Sequence, residues 1–301
     1  MYHRVFLPGL MLLFCRPVVA EEPTLQLSPV SGFLSLPDSV TLGKCSAIAI
    51  GREGEMFLYH RGKQPIICCD SEGNFLRSWG DDLIMTAHGL RVDPDGNVWA
   101  TDMGHHMVFK FTPTGKLLLA LGQIDKPGDA PDQFNRPTDV AFGPRGEVFV
   151  ADGYGNNRVV KMDRSGRFLA QWGMGGKGAG EFDLPHSIVV DAKDRVIVGD
   201  RENDRIQVFD LNGRHLENWP GFAPYGIALD SRQRVFVADG RAQQILQLDA
   251  MGMVASRFGK EGSKPGEFNL PHMLAVDGSG HLFVAEVGGQ RFQKFRLPKT
   301  R

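Results

Sequence analysis

Net charge is almost missing from this 301-residue chain: Lys+Arg 34 against Asp+Glu 35 leaves −1, with a pI near 6.8. That balance excludes a broad basic surface for nucleic acid and a strongly acidic partner-binding tail. Cysteine is scarce too, four in all, and no two form a C-x-x-C pair. Neither a zinc finger nor a disulfide framework is signalled. Beyond Cys15, Cys45 could pair with Cys68 or Cys69, or all three could be small buried apolar residues. A membrane-spanning run is also missing, because the one long apolar stretch, Val5 to Cys15, is too short to cross a bilayer. It follows His3 and Arg4 and leads through Arg16-Pro17-Val18-Val19-Ala20 to Glu21-Glu22, the pattern of a secretory signal cut near Ala20. Bulky Phe14 and charged Arg16 on either side of Cys15 argue against a lipoprotein. Residues 1–20 are thus expected to be a signal peptide, and 21–301 an exported domain, secreted or periplasmic.

Glycine is what the chain has in excess, 37 beside 18 prolines, spread along the whole length. Many tight turns imply many short strands, hence an all-β fold. Laid against itself, the chain repeats. Segments beginning at Ser46, His88, Thr138, His186, Tyr225 and His272 superpose without a gap, their starts 42, 50, 48, 39 and 47 residues apart. Each reads as an alternating strand, a turn and a second apolar strand, followed by a third strand and a weaker fourth. That is the unit of a β-propeller blade, and the six units predict a six-bladed ring. The last unit runs out after Phe295-Arg296-Leu297, while Thr24–Leu36 precedes the first with strand-like alternation at Leu25 and Leu27. That N-terminal stretch is expected to supply the missing strand and close the ring, leaving no open edge.

Some motifs are decoys. Gly173-Met174-Gly175-Gly176-Lys177-Gly178 fits G-x-G-x-x-G, but a dinucleotide loop must open a helix, and here Phe182-Asp183-Leu184-Pro185 and a strand follow. Asp93-Pro94-Asp95-Gly96-Asn97 looks like a calcium loop, yet the twelfth position, where a Glu is required, is Gly104. A hairpin turn is expected there. His105 and His106 sit in a loop and are read as solvated.

The first residues of the six units carry the chemistry. Histidine holds the second, fourth and sixth of them: His88, His186 and His272. In a closed ring of six, alternate blades lie about 120° apart and innermost strands line the channel. The three imidazoles should therefore meet on the axis, the protein half of a tetrahedral zinc site with one open position. Fifteen residues past the unit starts stand Arg61 and Arg201, with Tyr154 sixteen past. If their loops share the histidines' rim, two guanidinium groups could hold a carboxylate and a phenol could serve as general base.

At these residues the chain resembles a known family. The linkers Gly180-Glu181-Phe182-Asp183-Leu184-Pro185 and Gly266-Glu267-Phe268-Asn269-Leu270-Pro271 resemble those of NHL repeats. The stretches NRPTDVAFGPRGEVFVADGYGNNR and LPHSIVVDAKDRVIVGDRENDRIQVF resemble the peptidyl-α-hydroxyglycine α-amidating lyases, and the similarity runs from about Cys45 to Leu297. The resemblance implies zinc on His88, His186 and His272, a catalytic Tyr154 and functional Arg61 and Arg201. It implies cleavage of a carbinolamide C–N bond, releasing an amide and glyoxylate from a peptide or small molecule that ends in an α-hydroxyglycine-like group. Departures are visible: Gly155, Ile197 and Val208 stand where the family has disulfide partners, and Leu270 where it has a methionine near zinc. Met273 replaces an aspartate that holds structural calcium, leaving the backbone of Ile48 and Leu90 as the remaining contributors. A monomer is expected. The alternatives are a metal-dependent lactonase or other hydrolase, and an exported NHL propeller that binds a protein or glycan without catalysis.

Overall fold

A computed structural model describes residues 24–298; the expected signal peptide over 1–20 and its cleavage point lie outside them. Among the described residues there are six four-stranded sheets. Their first strands are Cys45–Ile50, Ala87–Val92, Asp139–Phe142, Pro185–Val190, Pro224–Leu229 and Pro271–Val276. Each touches the next, and the sixth touches the first, so the strands form a closed ring about a central axis. This is the six-bladed β-propeller that the repeats predict. No helix among the described residues is long and apolar enough to cross a membrane.

The core lies between blades rather than inside one layer. Second strands such as Val148–Asp152 and Val235–Asp239 are buried along their whole length, because a neighbouring blade covers each face. Outer strands such as Phe168–Trp172 alternate, with one face in solvent. Phe57, Trp99, Phe149, Ile197, Phe236 and Phe283 share one register of the second strands and are at most 1% exposed, filling the gaps between blades.

Ring closure follows expectation with a shorter strand. Ser28–Val30 pairs antiparallel with Lys294 to Arg296 and completes the sixth sheet. A turn at Gly32, with φ 65°, ends that strand well before Leu36. The chain then crosses to the first blade, where the Ser35 N–H donates to the Gly73 carbonyl at 2.8 Å. Leu25 and Leu27 are buried between blades five and six.

Turns behave as their chemistry dictates. The Asp93 carboxylate accepts the backbone N–H of Asp95 at 3.0 Å and of Asn97 at 2.8 Å, closing a hairpin tip on Gly96 with φ 89°. The glycine-rich stretch before Phe182 is an inter-blade connection, pinned by the Phe182 N–H on the Met174 carbonyl at 2.8 Å. At this rim, opposite the Asp93 hairpin tip, a buried acid ends the second strand of several blades. Asp102, Asp152, Asp200 and Glu286 accept the N–H of Thr86, Asn135, Asp183 and Asn269 at 2.7–2.8 Å. Each fixes the loop that leads into its own blade's first strand.

Of the two alternatives open for the cysteines, the structure shows the second: Cys45, Cys68 and Cys69 are free and buried. Cys45 lies opposite His60 at one end of its sheet, whereas Cys68 and Cys69 lie opposite Phe57 and Met56 at the other. Burial pushes the Cys68 and Cys69 thiols up to about 11 and about 12, so they remain protonated. One reading needs correction: the adjacent loop histidines are not simply solvated. His105 Nδ1 meets the Asp125 carboxylate at 2.6 Å, and His106 Nδ1 accepts the Arg136 N–H at 3.1 Å.

Candidate metal centre

His88, His186 and His272 begin the innermost strands of alternate blades and are 0–2% exposed. Their ring centroids lie 4.7, 4.7 and 4.8 Å apart. Ligand nitrogens from all three fall within 4.8 Å of one another, close enough to hold a metal ion. What aims them is backbone. His88 Nδ1 meets the Thr138 carbonyl at 2.7 Å, His186 Nδ1 that of Tyr225 at 2.6 Å, and His272 Nδ1 that of Ser46 at 2.7 Å. A carbonyl can only accept, so each Nδ1 carries the proton and each Nε2 keeps its lone pair. Burial holds all three imidazoles below their ordinary range, His272 at about 3, so they stay neutral as ligands must be.

The acceptors are the residues that begin the odd-numbered units. The even positions therefore present imidazoles and the odd ones present the carbonyls that orient them. Sequence reading singled out the histidines and missed Ser46, Thr138 and Tyr225, although their shared register was visible. Gly89 makes one of these bonds possible, since a Cβ there would sit 2.4 Å from the Thr138 carbonyl oxygen.

Tyr154, Arg201 and Arg61 all reach this end of the ring. The Tyr154 hydroxyl lies 3.3 Å from both His88 Nε2 and His186 Nε2. Arg201 donates to that hydroxyl at 3.2 Å from a terminal nitrogen and to Glu202 at 2.7 Å from Nε. Burial works against the Arg201 charge, but the Tyr154 and Tyr225 phenols and Glu202 raise its pKa above the ordinary value. Arg61 donates through Nε to the Ala87 carbonyl at 3.0 Å. Its two terminal nitrogens have no protein partner among the described residues. Cationic donors, a phenolic oxygen and three imidazole lone pairs thus face one space. That set can bind an anion beside a metal and move a proton there.

The backbone candidates for calcium, Ile48 and Leu90, lie on the innermost strands of blades one and two. They stand two residues past the unit starts, in register with Ile188 and Ile227. One residue past its own unit start, in register with Asp139, Met273 offers a buried thioether instead of a carboxylate. Arg91 reaches across the axis, donating to the Ile227 carbonyl at 3.1 Å and forming a two-pronged ion pair with the fully buried Asp139. Asp139 also accepts the Ile188 N–H at 3.1 Å, so the carboxylate is already committed. The chain's own guanidinium supplies the positive charge at this level. Arg91→Met, which strands the Asp139 carboxylate, is expected to cost about 3–5 kcal/mol of unfolding free energy with metal content unchanged. Urea titration reads this out, and an unshifted midpoint would remove the pair from the account of stability.

Similarities to known proteins agree with the geometry. The NHL repeat family model matches residues 134–162 and 182–209. A probable peptidyl-alpha-hydroxyglycine alpha-amidating lyase of Caenorhabditis elegans is 28% identical over 86% of this chain and 84% of its own length. NHL repeat-containing protein 3 of Mus musculus is 33% identical over 80% of this chain and 76% of its own. The chain spans 31% and 30% of the amidating monooxygenases of Mus musculus and Rattus norvegicus. A solved structure of a streptogramin B lyase superposes with a TM-score of 0.63 over 91% of this chain and 98% of that one, at 16% identity, a likeness of fold.

Proposed function

The chain belongs to the NHL-repeat family that includes the peptidyl-α-hydroxyglycine α-amidating lyases, and from that premise we propose that it is a zinc-dependent lyase acting on a carbinolamide. The substrate is an acyl- or peptidyl-α-hydroxyglycine, and the products are an amide and glyoxylate. One observation carries the reading: three Nε2 lone pairs converge, each fixed by an Nδ1–H on a carbonyl, with the Tyr154 oxygen 3.3 Å from two of them. All three candidate ligands are neutral imidazoles, which suit zinc.

Bound at the triad, zinc would supply Lewis acidity that makes a hydroxyl proton easier to remove. Arg61 and Arg201 bind the substrate carboxylate through their terminal nitrogens and set the α-carbon beside Tyr154. Tyr154 Oη, as phenolate, takes the hydroxyl proton, with the Arg201 N–H at 3.2 Å as the charged partner such an oxygen needs. As that proton leaves, the carbonyl of glyoxylate forms and the C–N bond breaks. The proton then passes from Tyr154 to the departing amide nitrogen, so atoms and charge balance without a water.

Incubating the purified protein, loaded with zinc, with N-benzoyl-α-hydroxyglycine is expected to release benzamide and glyoxylate in equal amounts. Metal analysis is expected to find about one zinc per chain, in line with a single three-histidine site. Stoichiometric zinc with no glyoxylate above background would sink the lyase reading. A propeller that merely binds a protein or glycan would show neither.

A further inference from the structure

We propose that Tyr225 is a positioning residue of this site, whose ring holds the Arg201 guanidinium beside the metal centre. The reaction it serves rests on the lyase reading; the geometry does not. Tyr225 opens the innermost strand of blade five, and its carbonyl orients His186. Ser46 and Thr138 supply the equivalent carbonyls from small side chains, so orienting a histidine does not require a ring.

The contacts of the ring say what it does. Its centroid lies 4.7 Å from Arg201 Cζ, closer than that of Tyr154 at 5.4 Å, so the guanidinium is held by two aromatic faces. The same ring stands 5.3 Å from the His186 ring and 6.1 Å from that of His272. Behind it lies Gly240, where a Cβ would approach Tyr225 Cγ and Cδ2 to 2.7 Å. The ring therefore rests directly on backbone, in a slot that a side chain at residue 240 would close.

Arg201 needs such a wall. It sits in the short 3-10 turn Arg201–Asn203 at the rim, where a long side chain has several ways to reach solvent. Glu202 holds its Nε at 2.7 Å and is itself held by Arg241 at 3.0 Å. One terminal nitrogen is tied to Tyr154. With Tyr225 covering the guanidinium, the other terminal nitrogen is left to meet a carboxylate without first paying to order the chain.

Steady-state kinetics on Tyr225→Leu and Tyr225→Phe, each loaded with zinc, test this. Tyr225→Leu is expected to raise KM about tenfold, with kcat within about threefold of the parent and zinc still stoichiometric, as loss of one desolvated cation–π contact and of uniform substrate binding would give. Tyr225→Phe keeps the ring and is expected to restore KM. An unchanged KM in the leucine variant, or equal impairment in both variants, overturns the proposal. So does loss of zinc with no other change, which would mean packing against His186 alone. Should the parent release no glyoxylate, the lyase reading fails, but the positioning role is still read by calorimetry with N-acetylglycine. Binding about tenfold weaker in Tyr225→Leu and restored in Tyr225→Phe supports it, and equal affinities refute it.

Discussion

Tyr154→Phe is expected to lower kcat by about 10²–10⁴-fold, the range for loss of a positioned acid–base group, while zinc stays bound. The substitution deletes one oxygen and keeps the ring. That ring packs edge-on against His88 at 5.2 Å and His186 at 5.8 Å, contacts phenylalanine can make equally well. The deleted oxygen is the atom 3.3 Å from two Nε2 nitrogens and 3.2 Å from an Arg201 nitrogen. Loss of rate with an unaltered metal content and melting temperature therefore reports chemistry rather than folding. A kcat within threefold of the parent would take the proton transfer away from Tyr154.

His88→Ala is expected to abolish both stoichiometric zinc and glyoxylate release. Losing an outer partner of a metal ligand costs roughly 10–100-fold in affinity, and losing the ligand itself should exceed that. The experiment has an internal control. Chelator-stripped parent protein regains activity on adding zinc, whereas the variant does not. Full metal content in His88→Ala would show that the ion lies elsewhere in the ring. Because His88 is fully buried, the variant's melting temperature must be followed alongside, and His272→Ala, from the opposite side of the triad, gives an independent reading.

The blade count, the closing N-terminal segment and the convergence of three histidines were legible because each is a statement about register. Once the repeats align, equal positions in equal units must fall at equal heights on the axis. Tyr154, Arg61 and Arg201 were legible as rim residues for the same reason, and the resemblance named their roles. Other features escaped because they break the repeat or carry no side-chain signature. A carbonyl acceptor such as that of Thr138 looks the same in every sequence. Arg91 occurs once, and its path across the axis to Asp139 and the Ile227 carbonyl depends on where three different blades sit. The choice between paired and free cysteines stayed open because the sequence did not show which end of the sheet each occupies.

The division of labour between odd and even blades makes the ring a three-beat cycle of two-blade modules, one contributing a ligand and the next its brace. Such a cycle closes only on an even number. In a ring of five or seven blades, two ligand-bearing or two bracing strands would have to stand side by side, and one imidazole would lose its acceptor or its place in the trigonal set. Gain or loss of a single blade is therefore closed to this design, and change by a pair, though it keeps ligand and brace alternating, would leave two or four ligand positions in place of three. In that sense the sixth sheet, assembled from the two distant segments of the chain through Ser28–Val30 and Arg291–Arg296, keeps the parity on which the metal centre depends.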